Sequence, residues 1–254
     1  MKKWLKILLC LCFIGITGCQ NSQEDVSLLI AAAASLKNCY EDELIPLFEQ
    51  KYPNITVEGT YDSSGKLQMQ IEKGLQADLF MSAALKQMNE LNDEGLIKEE
   101  SIVNLLENEL VLITHKDSQT KVKDFYNIQD ASMIALGDPA SVPAGQYAQE
   151  ALQYIGNYDS VIAKASLGTN VTEVLSWVEA QSAEVGIVYA SDAASSENVK
   201  ILQAAPQQSL KTPVIYPVAI IKNTKHFKEA ELFLEFLQTD EAKNIFRKYG
   251  FKVE

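Results

Sequence analysis

The sequence predicts an α/β protein of two lobes that face each other across a cleft. Three observations predict it. After residue 25, short apolar runs alternate with stretches of helical periodicity along the whole chain. Four strand-to-helix junctions are rich in Ser, Gly or Asn, at 32–35, 62–65, 137–145 and 168–170. Two of the four lie before residue 108 and two after it. In α/β folds ligands gather where strands end and helices begin, since a helix start offers unpaired N–H groups and the positive end of its dipole.

The elements follow in order. Val26 to Ala31 is a strand that feeds Ala32-Ala33-Ala34-Ser35. The next helix carries Leu44, Leu47 and Phe48 on one face and ends before Pro53, with Ser35 in an N-cap position. Ile55 to Thr60 is the second strand. It runs into Asp62-Ser63-Ser64-Gly65 and a short helix with Leu67 and Ile71 inward, closed by Gly74. Ala77 to Ser82 is the third strand. Leu85, Met88 and Leu91 mark a helix that stops near Gly95.

Glu109 to Thr114 opens a new block. Met133 to Leu136 leads into Gly137-Asp138-Pro139-Ala140-Ser141-Val142-Pro143-Ala144-Gly145, a loop bounded by Gly and stiffened by two prolines. Tyr147, Ala148, Ala151, Leu152 and Ile155 then make a helical face. Asn170 and Glu173 have the spacing of a capping box ahead of Val171, Val174, Leu175 and Val178. Val185 to Tyr189, Val199 to Leu202 and Val214 to Ile221 are strands. Two helices finish the chain, the first on Ala230, Phe233, Leu234 and Leu237, the second on Ala242, Ile245, Phe246 and Tyr249. Asp138 and Asp192 are expected as turn or cap residues.

Residues 1–18 stand apart as a secretory leader, with Lys2, Lys3 and Lys6 before the apolar stretch from Leu5 to Ile16. Ile16-Thr17-Gly18-Cys19 resembles a bacterial lipobox, which makes Cys19 the expected lipid site and 19–25 a tether. Cys10 and Cys12 leave with the leader, so Cys39 has no partner for an internal disulfide. His115 and His226 stand in no metal-binding motif and are expected on the surface or in loops. The whole chain carries a net charge of −12 from 22 basic and 34 acidic residues. Loss of the three leader lysines takes the mature chain to about −15, which argues against a nucleic-acid partner.

Several motifs together resemble the molybdate-binding proteins of bacterial ABC importers, over essentially the whole mature chain. They are Ala-Ala-Ala-Ser-Leu at 32–36, Ser-Ser-Gly-Lys-Leu at 63–67 and Ala-Asp-Leu-Phe-Met-Ser-Ala at 77–83. Further on stand Gly-Asp-Pro at 137–139 with Val-Pro-Ala-Gly at 142–145, and Gly-Ile-Val-Tyr at 186–189 with Ser-Asp-Ala at 191–193. Tyr-Pro-Val-Ala at 216–219 and Arg-Lys-Tyr-Gly-Phe at 247–251 complete the set. The resemblance implies a type II periplasmic-binding-protein fold, each lobe having a central, mostly parallel sheet flanked by helices. It implies chain crossings near Asn108 and Tyr216, with 26–107 plus 217–254 as lobe one and 108–216 as lobe two. It implies capture of molybdate or tungstate and delivery to an ABC permease by a monomeric lipoprotein held at the membrane, with no cofactor and no catalysis. The ligand contacts carried over are the Ser35 and Ser64 hydroxyls and N–H groups, the Ala144 and Val171 N–H groups and the Tyr189 hydroxyl. Ser63 is an adjacent candidate.

Three competing functions remain open at this level. One is a binder of another oxyanion, such as sulfate, on the same fold. A second is a hydrolase using Ser63 or Ser64 as nucleophile. Its weakness is that the junction is not Gly-x-Ser-x-Gly, and only His115 or His226 could be the base. A third is a general surface lipoprotein, which leaves four anion-ready helix starts without a purpose.

Overall fold

A computed structural model describes residues 25–253. The leader, Cys19 and the tether up to residue 24 lie outside the described residues. β1 (Val26–Ala33) is followed by an unbroken helical run: a 3-10 turn at Ala34–Leu36, α1 (Lys37–Cys39), a π-turn at Tyr40–Leu44 and α2 (Ile45–Lys51). Pro46 lies in the first turn of α2. A proline ring clashes with the carbonyl four residues back in a regular α-helix, and the wider π-turn just before it gives that room. Ser35 does not cap this run. It lies inside the 3-10 turn, with Ala33 in the cap position and no side-chain cap bond.

β2 (Ile55–Asp62), α3 (Ser64–Glu72), β3 (Leu79–Met81) and α4 (Leu85–Asp93) complete the first βα units. Gly74 and Gly95 close the two helices with φ of +95° and +70°, where a Cβ would be strained. β4 (Val103–Asn108) and β5 (Leu110–His115) are separated by Glu109 alone. Asn108 is the turn-type residue at that boundary, and the residue pattern does not single out β4 as a strand. β6 (Ile134–Gly137) leads through the proline loop to α5 (Pro143–Ile155), then α6 (Tyr158–Ile162), β7 (Ala165–Gly168) and α7 (Val171–Glu179). β8 (Val185–Tyr189), α8 (Ala190–Ala194), β9 (Val199–Ala204), β10 (Val214–Ile220), α9 (Phe227–Leu237) and α10 (Asp240–Lys248) finish the chain.

The strands form two five-stranded sheets, in the orders β2-β1-β3-β10-β4 and β7-β6-β8-β5-β9. Within each sheet four strands share one direction and the fifth is reversed, β10 in the first and β5 in the second. The reversed strands are the two that the chain enters from the other sheet. Only a helical crossover within one sheet imposes the parallel direction, so these two escape it. The sheets are thus mixed at these two strands and parallel where βαβ crossovers build them.

Helices cover both sheets and bury their apolar faces. In the first lobe Tyr40, Phe48, Phe233 and Phe246 form an aromatic cluster, with Phe48 edge-on to Phe233 at 4.8 Å. In the second, Val174 and Val178 of α7 pack against Gly186 on β8, where a Cβ would fall 2.8 Å from a Val178 methyl. Cys39 is buried and donates to the Leu36 carbonyl. Burial holds its thiol well above the usual range, which makes it unreactive.

Candidate functional site

The four junctions converge between the two sheets. They line one small cavity of about 10 Å³ that gathers Ser35, Ser63, Ser64, Ala144, Val171 and Tyr189, along with Ala33, Ala34, Asp62, Ala83, Val142 and Pro143. Every ligand position expected within the described residues is therefore brought to one place.

Ser64 is the first residue of α3 and is fully buried. Its Oγ accepts a hydrogen bond of 2.9 Å from the Ala83 N–H. That bond leaves the Ser64 proton for another acceptor. Ser63 is the N-cap residue of α3, yet its hydroxyl makes no cap bond; it is buried without any hydrogen-bond partner. Buried hydroxyls are rarely left unpaired, so an orphan on a cavity wall marks a place for a ligand.

α5 begins with Pro143 and Ala144, and the loop before it is held tightly. Asp138 Oδ1 accepts from the Ala140 N–H, and its carbonyl accepts from Ser141 and Val142. A Cβ on Gly145 would meet the Gly137 carbonyl at 2.1 Å, so only glycine lets the helix start this close to the end of β6. Asn170 caps α7 by accepting from the Glu173 N–H at 3.0 Å. The return bond of the expected capping box goes elsewhere: Glu173 Oε2 accepts from Thr169, one residue before the cap. The N–H groups of Ser35, Ser64, Ala144 and Val171 have no acceptor in the protein among the described residues. All four belong to cavity-lining residues at the start of helical segments, where the first N–H groups have no intrahelical partner.

Tyr189 ends β8 and enters the cavity from the other wall. It is buried, lies edge-on to Tyr216 at 5.6 Å, and its hydroxyl donates to the Ala83 carbonyl at a long 3.4 Å. It is at once a packed strand tyrosine and part of the cavity lining. Burial raises the Tyr189 hydroxyl well above its usual range, so it stays protonated. Asp192 acts as a cap, its Oδ2 accepting from the Tyr189 N–H at 3.1 Å, and burial pushes its carboxyl up to about 7.

The lobes touch around the cavity. The Gly65 N–H donates to the Ser141 carbonyl at 3.0 Å, and Gln87 Nε2 donates to Gln146 Oε1 at 3.1 Å. No Lys or Arg lines the cavity. Its one carboxylate, Asp62, accepts from the Ser63 N–H and pairs with Lys66 at 3.3 Å. The array therefore offers neutral donors to an anion, which N–H dipoles and charge-assisted hydrogen bonds can hold without a cation. His115 and His226 are absent from its lining; each lines a separate surface cavity. His115 is buried at the end of β5, against the expectation of a surface or loop position, and His226 Nδ1 lies 3.2 Å from Asp78. Ser63 and Ser64 thus have no histidine base at hand.

The residue pattern did not point to Ala83, whose N–H fixes the Ser64 hydroxyl, or to Tyr216 as a partner of Ser35. Their roles come from contacts between distant segments. The orphaned Ser63 hydroxyl was legible only as a neighbour of Ser64.

Two α/β lobes closing on a small cavity of converging helix starts define a bilobal solute-binding protein. The chain belongs to the bacterial extracellular solute-binding protein family, whose model matches residues 28–252. It is 35% identical to the molybdate-binding protein ModA of Haemophilus influenzae, over 100% of both chains. It is 41% identical, over 95% of each chain, to a Bacillus subtilis protein with the provisional name ABC transporter substrate-binding lipoprotein YvgL. Among solved structures, the Azotobacter vinelandii periplasmic molybdate-binding protein shares the fold, with a TM-score of 0.77 at 22% identity over 89% of this chain and 99% of that one.

Proposed function

We propose that this chain captures molybdate or tungstate outside the cell and hands it to an ABC permease, without catalysing a reaction. The observation that carries this is the donor set. Four N–H groups without protein acceptors and the hydroxyls of Ser35, Ser64 and Tyr189 belong to residues lining one cavity free of Lys and Arg. A tetrahedral dianion has acceptor oxygens on every side and suits such a cage. The Ser63 hydroxyl is a further donor to it. We assign 26–107 with 217–254 to one lobe and 108–216 to the other, so that the ion bridges them and favours their closed arrangement. The relatives named for molybdate binding support the ligand, and the relative named as a lipoprotein supports an anchor at Cys19. The proposed donors all come from one chain, so the site needs no second copy.

The test is calorimetry of the mature domain with molybdate, tungstate, sulfate and phosphate in turn. Molybdate and tungstate should bind alike and far more tightly than sulfate, because a rigid cage fits one oxyanion size. Phosphate should be weaker still near neutral pH, since its retained proton meets donors instead of acceptors. Equal affinity for sulfate and molybdate would overturn the assignment in favour of a less selective oxyanion binder.

A further inference from the structure

We infer that Tyr216 is a positioning residue that sets the direction of the Ser35 hydroxyl proton, through a hydrogen-bond relay running across both chain crossings. The inference rests on the proposal that Ser35 is a ligand donor. Tyr216 lies on β10 and is fully buried, and its hydroxyl stands 2.9 Å from Ser35 Oγ. The distance alone does not say which oxygen donates. Asn108, the last residue of β4, decides it.

Backbone N–H groups can only donate. The Asn108 Oδ1 receives two of them, from Glu109 at 2.9 Å and from Ser191 at 3.4 Å. The other end of the amide is therefore the NH₂ group. It donates to Ser191 Oγ at 2.8 Å and to the Tyr216 hydroxyl at 3.4 Å. Tyr216 thus accepts from Asn108, and among the described residues the one acceptor within reach of its own proton is Ser35 Oγ. Ser35 then accepts from Tyr216, which leaves its own proton free to point into the cavity. With Tyr216 donating, the Ser35 hydroxyl is both oriented and polarised as a donor, since hydrogen bonds in a chain strengthen one another.

The relay also joins the lobes. Asn108 and Tyr216 lie on the two strands through which the chain passes between the sheets, and Ser191 follows Tyr189 in the other lobe. The Tyr216 ring is edge-on to Tyr189, so one residue touches a donor from each lobe. The orientation of a ligand donor is thereby tied to the geometry of the crossings.

A double-mutant cycle read by molybdate calorimetry tests this, with Ser35→Ala, Tyr216→Phe and the two combined. Phe keeps the ring packing and removes only the hydroxyl. Tyr216→Phe should weaken molybdate roughly tenfold, and Ser35→Ala by at least as much. In the Ser35→Ala background, Tyr216→Phe should change the affinity by less than about twofold, since no proton remains to orient. Thermal melts of each variant report any general damage. Additive losses, or parental affinity in folded Tyr216→Phe, would overturn the relay while leaving Ser35 as a ligand. Parental affinity in Ser35→Ala would instead remove Ser35 from the site and the relay with it.

Discussion

Ser64 is the most enclosed hydroxyl of the cavity, and two substitutions there separate its roles. Its Oγ satisfies the buried Ala83 N–H at 2.9 Å and has one proton left for the ion. Ser64→Ala removes both. A buried donor left without its partner costs about 1–3 kcal/mol of stability. A lost hydrogen bond to a charged group costs about 1.5–3 kcal/mol, which is roughly a 10- to 150-fold weaker Kd. Ser64→Asp acts differently. The carboxylate can still accept from Ala83, and an acid at the first position of a helix suits the dipole, so the fold should hold. It stands beside a dianion, however. At an effective dielectric near 20 and a separation near 4 Å, each pair of unit charges repels by about 4 kcal/mol, so the dianion meets about 8 kcal/mol. Binding should vanish. The assay is molybdate calorimetry with a thermal melt of each variant. Molybdate binding at parental strength by folded Ser64→Asp would refute the reasoning, because Ser64 could not then line the site.

The remaining expectations concern the opposite wall, the lobes, charge and pH. Tyr189→Phe should weaken molybdate by about tenfold or more while leaving the melting temperature nearly unchanged, since its protein bond to Ala83 is long at 3.4 Å and the ring packing stays. X-ray scattering should show a smaller radius of gyration with molybdate, as contacts such as Gly65 to Ser141 form between lobes; an identical profile at saturation would count against a bridging ion. A mature charge near −15 opposes the approach of a dianion, so stopped-flow association should speed up with added salt. Asp192 binds a proton up to about 7 in the folded chain but only up to 3.8 in the unfolded one, so its ionisation costs stability as pH rises between those values. Asp192→Asn keeps an acceptor for the Tyr189 N–H and should flatten that slope in melts taken across the interval.

Much of the architecture is determined within short windows. The alternation of apolar runs and helical faces specifies the class, and Gly74, Gly95, Gly156 and Gly250 end helices where positive φ is needed. The four junctions were legible because a strand followed by Ser, Gly or Asn and then a helical face is a local pattern. The chemistry of those junctions is local too, since every helix start leaves N–H groups unpaired. The proposed ligand contacts came from motif resemblance, as Ala144 and Val171 would act through backbone groups that their side chains do not reveal.

What only the tertiary structure decided depends on residues far apart in the chain. β4 became visible as a strand through its pairing with β10, which joins Asn108 to Val214. Ser35 looked like a cap because its neighbours suit one, yet its partner is Tyr216, 181 residues away. Ala83 fixes Ser64 across 19 residues and an intervening strand, and Asn108 reaches Ser191 across 83. Periodicity and capping report the backbone's preference over a few residues. Which hydroxyl accepts and which donates is set by strand order and by the meeting of two lobes, and those follow from burying both sheets at once.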